Sequence, residues 1–151
     1  MKIYHKEQFH GWSCGAVCYA MLFDVTEGRA IADCKTTKSG TQHIELLRAI
    51  KTRENAYLIS IEKGYEEYLS HLKDISSHFP VIVSGFYHRQ GTRGRCRKDA
   101  HAVLVVDGVV FDPAESGPID LDAYEIVFNR GWTIRSIIVV DREVDGYGMN
   151  K

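Results

Sequence analysis

Gln8 and Cys14 stand six residues apart in the stretch Gln8-Phe-His-Gly-Trp-Ser-Cys14-Gly-Ala-Val-Cys18-Tyr-Ala-Met21. The apolar pattern after Ser13 predicts a helix that Cys14 opens. The first N–H groups of a helix have no internal partner, and the helix dipole puts partial positive charge there, so a thiol at that position ionises readily. Cys14 therefore has the setting of a nucleophile. A thiolate attacking a carbonyl carbon needs a base to hold the proton, a group to orient that base, and donors for the oxyanion. His101, at the head of the apolar run His-Ala-Val-Leu-Val-Val, supplies an imidazole; Asp112, beyond a turn at Asp107-Gly108 and a second short run, supplies a carboxylate on the adjacent strand. Cys14, His101 and Asp112 together make a Cys-His-Asp triad, with the backbone N–H of Cys14 and the side-chain amide of Gln8 as oxyanion donors. An amide suits that place because it donates without adding a charge.

Taken alone, each of these residues has a plainer reading. Free cysteine is among the most buried residue types, a histidine at a strand start commonly bonds to backbone, and Asp-Pro favours turns. Their joint occurrence across a hairpin raises the catalytic reading. Cys18, one helical turn beyond Cys14, reads as a packing residue, and Cys34 has no evident partner. Cys14-x-x-x-Cys18 with His5, His10 and Cys34 offers soft metal ligands, but no second closely spaced Cys or His pair follows at zinc spacing. Neither a metal nor a cofactor is expected. Phe9, Trp12 and Trp132 read either as groove walls or as core.

The elements that must position the triad are legible from periodicity. Helices are expected over 14–24, with Ala16, Val17, Ala20, Met21 and Phe23 on one buried face, and over 26–34. Ser39-Gly-Thr41-Gln supplies capping residues for a third helix carrying Ile44, Leu47 and Ile50. A strand over 56–61, an amphipathic helix over 65–75 and a strand over 80–86 follow, then a hairpin of 101–106 and 109–112. A short helix over 121–129 and a last strand over 133–140 complete the chain. Residues 87–99 carry Arg89, Arg93, Arg95, Arg97 and Lys98 with two glycines, which predicts a mobile basic loop running into His101. Arg93, Arg95 and Arg97 are candidate substrate contacts, favouring acidic residues or a phosphate on the partner. A solvated charge run is the alternative on composition alone.

These residues also resemble a known family. Gln8, Cys14-Gly15-x-x-Cys18-x-x-Met21, Gly40-Thr41 before a helix, Pro80-Val-Ile-Val, and His101 followed by Asp112-Pro113 resemble the papain-like cysteine peptidases. The likeness is closest to their compact branch that removes double-glycine leader peptides from bacteriocin precursors. It implies Cys14 as nucleophile, His101 as base, Asp112 as orienting acid and Gln8 as oxyanion donor. It also implies an α+β fold, a helical lobe over about 8–76 packed on an antiparallel sheet lobe over about 80–140, with the site in the cleft between them. The expected activity is a cysteine peptidase acting through an acyl-enzyme. The same triad serves an amidase, a deamidase or a transglutaminase-like acyltransferase. A non-catalytic binder using the basic segment is the reading from a different class.

The whole chain narrows the setting. Its 151 residues suit a single domain over 1–151. A formal charge of -1 gives no global field to gather nucleic acid, so no nucleic-acid partner is expected. No secretory signal or apolar run of membrane-spanning length is present, which predicts a cytoplasmic protein with no membrane partner, four reduced cysteines and a peptide or protein substrate.

Overall fold

Ten residues after Ser13 are almost wholly apolar, and they become the buried axis of the molecule. The computed structural model describes residues 2–90, 96–128 and 132–144, with side chains assigned outside 87–90, 96–99 and 125–128. Helix α1 (Cys14–Phe23) is followed by α2 (Glu27–Asp33) and α3 (His43–Lys51). Strand β1 (Ala56–Gly64) leads into α4 (Tyr65–His78), and β2 (Val81–Gln90) into β3 (Cys96–Val106). Short strands β4 (Val109–Phe111) and β5 (Ile119–Asp120), helix α5 (Leu121–Phe128) and β6 (Thr133–Val140) complete the elements. The class is α+β: one sheet of six strands, ordered β1-β6-β2-β3-β4-β5, with every neighbouring pair antiparallel.

Both faces of the sheet are covered. On one, α1, α2 and α3 pack on Ile82, Ala102, Leu104, Val106 and Ile138; on the other, α4 and α5 cover Val81, Val83, Val103, Val105 and Ile137. Successive residues of β2 and β3 alternate between the two clusters, as the two-residue period of a strand requires. The boundary expected at residue 76 therefore moves, because β1 belongs to the sheet and α4 lies on its far face.

Several local expectations change in instructive ways. Helix α1 is buried from Gly15 to Leu22 on all sides rather than on one face, since α2, α3 and the sheet surround it. No side chain caps α3: Thr41 Oγ1 instead meets Thr36 Oγ1 at 2.7 Å, and Thr37 to Gly40 close a tight turn through two mutual backbone bonds. The buried stripe of α3 is Leu46, Ala49 and Ile50, leaving Ile44 exposed. Edge strand β1, which pairs only with β6, exposes Tyr57, Leu58 and Ile59 in succession.

The basic loop expected over 87–99 is mostly strand. Tyr87↔Asp99, His88↔Lys98, Arg89↔Arg97 and Gln90↔Cys96 continue the β2–β3 ladder, so a ladder held by backbone bonds outruns the apolar core. Arg93 and Arg95 lie outside the described residues; Arg97 is placed in β3 by its backbone alone.

Two glycines fix how the strands meet. Asp107 (φ 49°) and Gly108 (φ 74°) form the expected two-residue turn between β3 and β4, which needs positive φ at both positions. Their N–H groups donate to the carbonyl and hydroxyl of Ser76 on α4, at 2.7 and 3.2 Å. Gly85 lies opposite His101 on β3, and a Cβ there would stand 2.1 Å from the carbonyl oxygen of Thr133 and 2.7 Å from the Trp132 indole nitrogen. Gly85→Ala should therefore cost about 2–4 kcal/mol, the scale of a backbone clash in a packed interior. Urea denaturation measures it, and a loss below about 0.5 kcal/mol would show that β6 yields freely there.

Candidate active site

The sequence folds so that three separate elements converge on one thiol. Cys14 opens α1, His101 sits on β3, and Asp112 follows β4 directly. Because Phe111 pairs with Leu104, the hairpin returns Asp112 to within a few residues of the row that carries His101. The His101 Nε2–H donates to Asp112 Oδ1 at 2.6 Å, and Cys14 bonds the same imidazole. With Nε2 committed to the carboxylate, Nδ1 is the nitrogen left to face the thiol.

Electrostatics follow from this contact chain. Burial pushes the Cys14 thiol up, but its hydrogen bond to His101, the imidazolium charge and the backbone N–H groups of Ala102 and Gly15 together carry it below the ordinary thiol range. Desolvation works against charge on His101, yet the Asp112 carboxylate and the Cys14 thiolate raise it to about 9. Asp112 is desolvated too; hydrogen bonds from His101, Tyr124 and the Ala114 N–H hold it below the usual carboxylate range. Both shifts favour the thiolate–imidazolium form of the pair. Cys18 and Cys34 have the opposite fate: burial pushes the first well above the ordinary range and the second up to about 12. Cys14, Cys18 and Cys34 are all free thiols.

Tyr124 is the functional residue that sequence reading missed. Its hydroxyl donates to Asp112 Oδ2 at 2.7 Å, while Ala114 N–H donates to Oδ1 at 2.8 Å, so both oxygens of a carboxylate only 1 % exposed are occupied. Tyr124 is itself held in an aromatic cluster with Tyr65 and Trp132 on the far face of the sheet, with ring centroids 5.9 Å apart. The sequence placed this tyrosine only in a short helix over 121–129, and nothing local linked it to Asp112.

Gln8 is tethered near the site without touching the triad. Its backbone N–H donates to the carbonyl of Pro113 at 2.9 Å and its side-chain amide to the carbonyl of His10 at 2.6 Å. Its Oε1 is buried with no hydrogen-bond partner among the described residues. The segment between Gln8 and Cys14 is pinned by Glu27, which accepts from the Phe9 N–H at 2.9 Å and the Ser13 hydroxyl at 2.7 Å. Ser13 therefore leaves the first-turn amides of α1 without a side-chain cap.

A cleft of about 390 Å³ opens over Cys14 and His101, and Trp12, Lys38, Thr41, His43, Phe86 and Arg135 contribute to its walls. Trp12 is thus a groove residue, stacked on His10 with centroids 4.5 Å apart, whereas Trp132 is core and Phe9 stands 90 % exposed. His43 Nδ1 meets the Ser136 hydroxyl at 3.0 Å; burial, with the Arg135 guanidinium nearby, holds this imidazole below its ordinary value. Among the described residues no three His, Cys, Asp or Glu side chains gather as a metal site, and no helix is long and apolar enough to cross a membrane. No protein-family model matches the chain, and no curated protein sequence does.

Three outcomes follow from the geometry. Iodoacetamide at neutral pH should alkylate Cys14 about a thousandfold faster than Cys34, whose thiolate fraction is minute. Asp112→Asn removes the charge that raises His101, so the imidazolium weakens and the midpoint of Cys14 alkylation should move to higher pH. A midpoint that stays in place would separate Asp112 from the ion pair. Tyr124→Phe leaves one oxygen of a buried carboxylate unpaired, which should cost about 1–3 kcal/mol of stability in urea and about tenfold in acylation of Cys14. An unchanged rate would make the Tyr124 hydroxyl purely structural.

Proposed function

We propose that this chain is a cysteine hydrolase of papain-like fold that opens an amide bond through an acyl-enzyme, with a peptide or protein as substrate. One observation carries the reading: a helix-terminal thiol bonded to an imidazole whose second nitrogen is held by a buried carboxylate with hydrogen bonds to both oxygens. The likeness of Gln8, Cys14-Gly15, His101 and Asp112-Pro113 to the leader-peptide peptidases points the same way. So does the arrangement of helix and antiparallel sheet around the cleft.

Chemistry follows from the resting charges. The Cys14 thiolate attacks the carbonyl carbon, a C–S bond forms, and the carbonyl electron pair moves onto oxygen. The Cys14 N–H meets that oxyanion, and Gln8 becomes the second donor once its amide leaves the His10 carbonyl. As the C–N bond breaks, the His101 imidazolium gives its proton to the departing nitrogen. Neutral His101 then takes a proton from water, whose oxygen attacks the thioester; the acid leaves and Cys14 returns as thiolate. An amine in place of water would give acyl transfer by the same steps. Cys14 must stay reduced throughout, which fits a cytoplasmic setting.

A generic activated ester tests the acyl-enzyme without a known substrate. p-Nitrophenyl acetate should give a burst of nitrophenolate and an acetyl adduct mapped by mass spectrometry to Cys14. Cys14→Ala should remove both, and the residual rate should fall by about 10³-fold or more. Acetylation spread evenly over Cys14, Cys18 and Cys34 would overturn the proposal.

A further inference from the structure

The cleft that opens over Cys14 carries a second chemistry on its walls. Lys38, His43 and Arg135 line it, and among the described residues no aspartate or glutamate does. Arg135 reaches the cleft because β6 is irregular. Ser84 pairs with Ser136 and Gly85 with Ile134, so one extra residue, Arg135, is inserted opposite β2. Ile134 and Ile137, three residues apart, both pack in the cluster under α4 and α5, while Ser136 meets His43 of α3 on the other face. Regular alternation would have sent Arg135 and Ser136 to opposite faces. The bulge instead gives both to the cleft side, the re-aiming that bulges beside active sites perform.

Arg135 is held once there. Its guanidinium lies 5.4 Å above the Phe86 ring, and the exposed Glu62, itself no part of the cleft wall, approaches Arg135 Nε at 3.7 Å. Lys38 projects from the turn that Thr37 and Gly40 close, and it has no ion-pair partner among the described residues. The Ser136 hydroxyl fixes the His43 ring through Nδ1, leaving Nε2 for a ligand. Ile134, next to Arg135, pairs with Gly85, and Gly85 pairs with His101, so Arg135 stands two strands from the catalytic imidazole. At the usual strand spacing that is about 10 Å, the span of about three extended residues.

We propose that Arg135 and Lys38, with His43, form a subsite for a carboxylate carried by the substrate two to three residues from the bond that Cys14 attacks. This assignment rests on Cys14 being the nucleophile and adds the substrate class. Either an acidic side chain or a chain-terminal carboxylate has the required chemistry, since each offers two oxygens to a guanidinium and an ammonium.

Three iodoacetylated dipeptides separate the possibilities: iodoacetyl-Gly-Glu amide, iodoacetyl-Gly-Gln with a free terminus, and iodoacetyl-Gly-Gln amide as the neutral reference. The rate of Cys14 alkylation, followed by intact mass, should be about fivefold higher for at least one charged probe than for the neutral one at low salt, and the ratio should shrink as salt is added. Which charged probe gains identifies the source of the carboxylate. In Arg135→Gln combined with Lys38→Gln the ratio should fall to about one, and Arg135→Lys should keep part of it. Equal rates for all three probes on the unaltered protein overturn the subsite. A preference that survives the double substitution also overturns it and transfers the carboxylate to other cations. Failure of the nucleophile reading looks different: the neutral probe would then label Cys14 no faster than Cys34.

Discussion

A carboxylate taken out of water must be repaid in hydrogen bonds, and at Asp112 that requirement organises the rest of the molecule. Three donors converge on two oxygens: His101 from β3, Ala114 from the turn after β4, and Tyr124 from α5. An unpaired charge at that depth would cost several kcal/mol, so the three donors cannot be chosen independently. Their agreement ties the far-face helix, the hairpin and the strand that carries His101 to one point. Cys14 then meets an imidazole that the carboxylate orients and biases toward its charged form.

Much of this was legible in the sequence because the signals were local. A cysteine after a serine at the head of an apolar run marks a helix terminus, and Asp107-Gly108 between two valine-rich runs marks a tight turn. Those two facts bring Cys14, His101 and Asp112 to the positions expected of them. What escaped was set by tertiary packing rather than by spacing along the chain. Tyr124 reaches Asp112 only because α5 folds back across the sheet end, and no spacing encodes that. Arg135 escaped for a related reason: Thr-Ile-Arg-Ser-Ile-Ile reads as ordinary strand, and the inserted residue is visible only when β2 is laid beside it. The charged stretch before His101 misled in the other direction, since charge density suggests a loop whereas backbone pairing alone extends β2 and β3 into it.

The two sides of the sheet divide the labour unequally. The face toward α1, α2 and α3 carries the thiol and the cleft, and its helix α1 is buried along nearly its whole length, so Cys14 is mounted on a rigid axis. The opposite face lies away from the cleft, yet its aromatic cluster supplies the hydroxyl that completes Asp112.

That division bears on how the protein ages under heat. Helix α5 is short and two of its neighbours are the small strands β4 and β5 at one edge of the sheet, the kind of unit that opens locally at a free energy below that of the whole fold. Each opening would strip Tyr124 from Asp112 and admit water to the carboxylate, releasing the imidazole from its preferred charge state while the main sheet stays intact. The reactivity of Cys14 would then fade on warming ahead of the cooperative melt, and the temperature of that loss would report the attachment of α5 rather than the stability of the core.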